Sequence, residues 1–161
     1  MQTGFLEQML FWSLRLVDDA FRRTNDVLPE HDKRLGGFFC IANGKTGLPY
    51  LVKVVGNPPE DKREAYFFFA REKARRLAEH PEHMSSWESR NPELDQWGGA
   101  VRRGDFIFSF SGLPELADEA LILCLLQPNN WQGWRGFSPD RHDKGLGYLK
   151  SIAMKSANPY F

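Results

Sequence analysis

Gly37-Phe38-Phe39-Cys40-Ile41-Ala42-Asn43-Gly44-Lys45-Thr46-Gly47-Leu48-Pro49-Tyr50-Leu51-Val52-Lys53-Val54-Val55 is the stretch whose reading decides the fold. Phe38–Ala42 is a short apolar, partly aromatic run of the kind that forms a buried strand. Asn43-Gly44 turns the chain, Lys45–Pro49 extends the turn, and Tyr50–Val55 resumes as a second strand. Two such runs joined by a short glycine-containing loop predict an antiparallel hairpin over Gly37–Val55. An antiparallel hairpin near the start argues against a doubly wound parallel sheet.

The flanks are helical. Before the hairpin, Leu6, Leu10, Leu14, Val17 and Phe21 recur at helical steps, widened by Met9, Trp12 and Ala20, predicting a helix over Phe5–Asn25. After it, Gly56-Asn57-Pro58-Pro59 launches a helix over Glu60–His80 whose inner stripe is Phe67, Ala70, Ala74 and Leu77. Glu72 and Arg76 form a favourable i,i+4 pair, and Pro81 stops the helix. A polar, Trp-containing stretch leads to Gly98-Gly99-Ala100-Val101. Arg102-Arg103-Gly104-Asp105 then reads as a turn into Phe106–Ser111, where Phe106, Phe108 and Phe110 alternate on one face. Gly112-Leu113-Pro114 breaks that strand, with Pro114 as a first-turn proline, and Glu115–Leu126 forms the last helix. The order α-β-β-α-β-β-α predicts an α+β domain, an antiparallel sheet with flanking helices, over residues 1–126.

Residues 127–161 differ in character. They are rich in Trp, Tyr, Phe and Gly and carry a net charge of +3, against −3 for the first 126 residues. Opposite charge and abundant aromatics predict a C-terminal extension that docks on its own domain or on a neighbouring subunit.

Composition bounds the function. The 161 residues have 42% hydrophobic and 14% aromatic content, enough for a sizeable core. Lys+Arg 21 and Asp+Glu 21 cancel, so no overall basic footprint for nucleic acid exists. No apolar run reaches the length of a membrane span, and the first residues do not read as a secretory leader. Cys40 and Cys124 both lie in apolar segments, which predicts reduced thiols and a cytoplasmic setting.

Chemistry-bearing patterns are few. His80-Pro81-Glu82-His83 could approach a metal, but the proline breaks the helix between the histidines and the local sequence places no third ligand, so the reading adopted is a solvated helix end with no metal. Cys40 reads as a small buried hydrophobe. Asp118-Glu119 read as a solvated face, as does the basic cluster Arg71, Lys73, Arg75 and Arg76, with an anion site as the alternative for the cluster. Phe67-Phe68-Phe69 exceed what one helix face can bury, so either the helix is sandwiched on two sides or one ring lies at a subunit interface or ligand pocket. No nucleophile elbow, phosphate loop, zinc-protease helix or dinucleotide fingerprint occurs.

Three stretches together resemble the GlcG/HbpS-like family, often called the haem-degrading domain. Ala70-Arg71-Glu72-Lys73-Ala74 is similar to its A-x-x-K-A helix signature. Gly98-Gly99 followed by Phe110-Ser111-Gly112 is similar to its glycine-rich hairpin, and Leu116-Ala117-Asp118-Glu119-Ala120 to the acidic start of its last helix. The resemblance implies a profilin-like fold and an oligomeric protein that binds a small ligand, haem among the possibilities. Arg71, Lys73, Gly98, Gly99, Ser111 and Gly112 would then supply cations and backbone donors to an anionic group. Phe106 and Ser109 stand where the family tends to have glycine. The competing expectation is an interaction module that uses the C-terminal extension to hold a protein partner. An enzyme ranks behind both, because no nucleophile–base constellation is visible.

Overall fold

The structure is a computed structural model and describes residues 3–126. The predicted extension, residues 127–161, and its expected docking lie outside the described residues. Within them the order α-β-β-α-β-β-α is as the sequence predicts: α1 (Thr3–Asp26), β1 (Gly36–Asn43), β2 (Pro49–Gly56), α2 (Glu60–Ala78), β3 (Ala100–Arg103), β4 (Phe106–Ser111) and α3 (Glu115–Leu125). All strand pairs are antiparallel, in the order β2-β1-β4-β3. The hairpin pairs Phe38 with Val54 and Cys40 with Val52, with an irregularity between Ile41 and Ala42 before the loop.

Strand alternation splits the core into two layers. Phe39, Ile41, Phe106, Phe108 and Phe110 join α1 and α3 on one face. Cys40, Ala42, Ala100 and Ile107 meet Ala70, Ala74, Leu77 and Ala78 of α2 on the other. Small side chains on both sides let α2 approach closely enough for the Ser109 hydroxyl to donate to the Ala70 carbonyl. Because both faces are covered, every residue of β4 is buried.

Helix faces are where the structure departs from periodicity. On α1 the buried positions are Met9, Ser13, Val17, Ala20, Phe21 and Thr24, while Trp12 and Leu14, expected in the stripe, are exposed. The inward face is therefore rotated to take in Ser13 and Thr24. On α2, Phe67 is exposed and the stripe is completed by Lys73 and Arg76, both buried. The expected solvated faces are corrected at four residues, since Asp118 and Glu119 of α3 are also buried. The physical reason is pairing, described below. α2 ends at Ala78, two residues before the expected His80, and Glu79 caps it; Pro81 disfavours the helical conformation in the residue before it. Arg102 and Arg103 end β3, with the turn itself at Gly104 and Asp105. Pro114 is the cap residue of α3, one position ahead of its first turn.

Among the described residues no helix is long and apolar enough to cross a membrane. Cys40 is buried, and burial pushes its thiol up to about 11, as befits an inert core residue.

Candidate functional site

Lys73 sits in the middle of α2 and is only 2% exposed. Its aliphatic stem passes along the helix–sheet layer, and its ammonium emerges at the end of β4. There Nζ donates to the Phe110 carbonyl at 3.0 Å and to Asp118 Oδ2 at 2.8 Å. Asp118 comes from α3, on the opposite face of the sheet. The ion pair therefore ties the two helical layers together around the sheet's end. The other carboxylate oxygen, Oδ1, accepts from the Leu113 amide at 2.8 Å. Even with these partners, burial pushes the Asp118 carboxyl up to about 6, with Lys73 opposing the shift.

The glycines make room for the pair. Gly99 has φ +120°, and a Cβ there would lie 2.8 Å from Asp118 Cβ and 2.9 Å from Lys73 Nζ. Gly112, at φ +148°, packs on the backbone of Gly36 and Gly37. Gly98 donates its amide to Glu115 Oε1 at 2.7 Å, and Glu115 also receives Arg90 Nε at 2.7 Å.

Arg76, one turn along α2, organises the wall. Nη1 donates to the carbonyls of Ser86 (2.9 Å) and Ser89 (3.0 Å) and to the Ser89 hydroxyl, while Nη2 donates to the Trp97 carbonyl. Glu72 neutralises it through Nε at 2.8 Å. The i,i+4 pair expected on a solvated face is thus largely buried, and its arginine holds the 86–97 segment against α2. Arg90 lies over the rings of Trp87 and Trp97. Ser85 donates to Glu119, which accounts for the burial of that carboxylate.

These contacts leave a cleft of about 250 Å³ lined by Tyr66, Phe69, Lys73, Trp97, Ser111, Gly112, Leu113, Glu115 and Asp118. Of the six residues singled out from the sequence, Lys73, Ser111 and Gly112 line it, Gly99 abuts its floor and Gly98 braces its wall. Arg71 stands apart, exposed, with its guanidinium 5.1 Å from the Phe67 ring centre. Phe69 is the ring of the Phe67–Phe69 triplet that reaches a pocket. Sequence reasoning missed Asp118, Arg76, Trp97 and Glu115. The available signal for Asp118 was its place early in a helix, where an acid is also explained by the helix dipole.

No family model, curated protein or solved structure matches the chain. The cleft's own chemistry therefore carries the functional reading. Its lining contains no His or Cys, and Ser111 has no imidazole among the lining residues to act as its base.

Proposed function

We propose that the chain is a small-ligand-binding protein whose site is this cleft, and that it holds its ligand without transforming it. The carrying observation is a buried Lys73–Asp118 pair opening into a cleft walled by Tyr66, Phe69 and Trp97. Aromatic walls with a few convergent polar groups are the usual make-up of a small-molecule site. A volume of about 250 Å³ lies below the roughly 300–1,000 Å³ of sites for drug-sized ligands, so the ligand is of single-ring size. Lys73 uses two of its donors on Phe110 and Asp118 among the described residues, leaving the third for an oxygen acceptor on the ligand. The amino-terminal end of α3, at Leu113–Glu115, adds a positive dipole end.

Haem does not fit this site. Its macrocycle exceeds the cleft, and Tyr66 is the one lining residue of a type that commonly ligates haem iron. The GlcG/HbpS-like resemblance supports the fold class and the location of the site, not that ligand. The interaction-module reading rests on residues 127–161, outside the described part.

The test is amide and indole NMR of the full chain titrated with benzoate and benzamide as probes. Shifts at Gly99, Ser111, Gly112 and the Trp97 indole, lost in Lys73→Met, are expected. Benzoate should bind more tightly as the pH falls through about 6, where protonation of Asp118 frees the lysine's charge, while benzamide should not. Shifts scattered elsewhere, or none with either probe, would remove the reading.

A further inference from the structure

The turn after α2 carries a second arrangement, independent of the cleft. His80 and His83 both approach one oxygen of Glu82: His80 Nδ1 lies 3.4 Å and His83 Nε2 3.5 Å from the same Glu82 Oε1. One ligand atom from each of the three residues falls within 4.8 Å of the others. We propose that His80, Glu82 and His83 bind a divalent transition-metal ion of the Zn²⁺ class.

The spacing between Glu82 and each histidine is compatible with a shared ion. Charge-assisted hydrogen bonds between imidazolium and carboxylate close to about 2.7–2.9 Å, and both contacts here are longer. Ligand atoms at about 2.0–2.1 Å around a tetrahedral Zn²⁺ stand about 3.3–3.4 Å apart, close to the two Glu82–histidine spacings, and all three ligand atoms lie within 4.8 Å of one another. Two imidazoles and one carboxylate are a borderline donor set that suits zinc, nickel or copper better than calcium or magnesium. Three protein ligands leave a fourth position for water.

The backbone of the site is held before any ion arrives. The His83 amide donates to the His80 carbonyl at 2.9 Å, closing a turn with Pro81 and Glu82 at its corners. Arg102 of β3 grips the same turn from below, donating to the carbonyls of Leu77, His80 and His83. Its charge opposes the ion, but its donors are committed to those carbonyls and to Gly44. The histidine rings lie stacked, with centres 4.6 Å apart and planes 14° from parallel. Convergence of their lone pairs on one ion therefore takes a rotation about χ2. The half-exposed His80 can make that rotation, and His83 Nδ1 is buried with no hydrogen-bond partner among the described residues to hold its ring away.

The experiment is titration of the purified full chain with Zn²⁺ by calorimetry and with Co²⁺ by visible absorption and NMR. One equivalent should bind, with a cobalt ligand-field band and paramagnetic broadening centred on residues 80–83. Removing an outer-sphere partner of a metal ligand already costs about 10–100-fold in affinity, so His80→Ala and Glu82→Gln should each weaken binding by at least about tenfold. His80 is substantially exposed, so circular dichroism of His80→Ala should be unchanged. His31→Ala and His142→Ala should bind as the parent does. No binding, binding unaltered in His80→Ala, or binding lost in either control variant would overturn the proposal.

Discussion

At Gly99 the backbone is in a left-handed conformation, and the space a methyl group would take is already occupied by the carboxylate-bearing carbon of Asp118 and the ammonium of Lys73. Gly99→Ala therefore meets both backbone strain and overpacking. We expect it to destabilise the protein by about 2–4 kcal/mol, read as a lowered urea midpoint with an unchanged slope. An unchanged midpoint would mean that the pair does not lie beneath this residue. The sequence shows Gly98-Gly99 as a turn, and it offers Lys73 as a candidate. It does not show why glycine is required, because the clashing groups come from α2 and α3, both distant in the chain. Asp118 was illegible for a related reason. Local rules send an acid in a helix's first turns to solvent, and it is Lys73, arriving from the other face of the sheet, that together with the Leu113 amide offsets part of its burial cost.

At the scale of elements, α2 carries more than its apolar stripe. Arg76 holds the chain from Ser86 to Trp97 by its carbonyls, in a stretch with only short 3-10 turns and isolated bridges of its own. Arg102 does the same for the turn that ends α2. Arg76→Met keeps the apolar stem but leaves the largely buried Glu72 without its cation and several carbonyls without a donor. We expect a loss of about 3 kcal/mol or more, and faster amide exchange across 86–97 than in β1 and β2. Uniform acceleration throughout the chain would show instead that the segment unfolds only with the whole domain. The Glu72–Arg76 spacing was plain in the sequence, but an i,i+4 pair looks the same on a solvated face as on a buried one. Burial is set by what packs over the helix, and here that is an irregular segment with no periodicity to read.

Across the whole molecule, the sheet is enclosed by α1 and α3 on one side and α2 on the other, and the Lys73–Asp118 pair bridges these layers. This links global stability to pH in an unusual direction. Asp118 ionises at about 6 in the folded protein against an ordinary value of 3.8, so between these values the folded state holds the extra proton. By linkage, its contribution to stability grows as the pH falls from neutral through 6 and levels off below 3.8. A carboxylate whose pKa is lowered by folding acts in the opposite sense. Comparing urea midpoints from pH 7 towards pH 5, Asp118→Asn should lack this rise, whatever its own loss of stability. Equal slopes in the two proteins would place the titration elsewhere. Much of this architecture was determined by the sequence alone. Period-two runs, turn glycines and proline stops specify the seven elements, their order and the antiparallel hairpin, because these are local preferences of the backbone and side chains. Only the tertiary structure decided which charged residues are buried, how two histidines come to face one oxygen of Glu82, and where the cleft opens. Those features depend on partners distant in the chain or on the path of an irregular turn, and no local pattern encodes them.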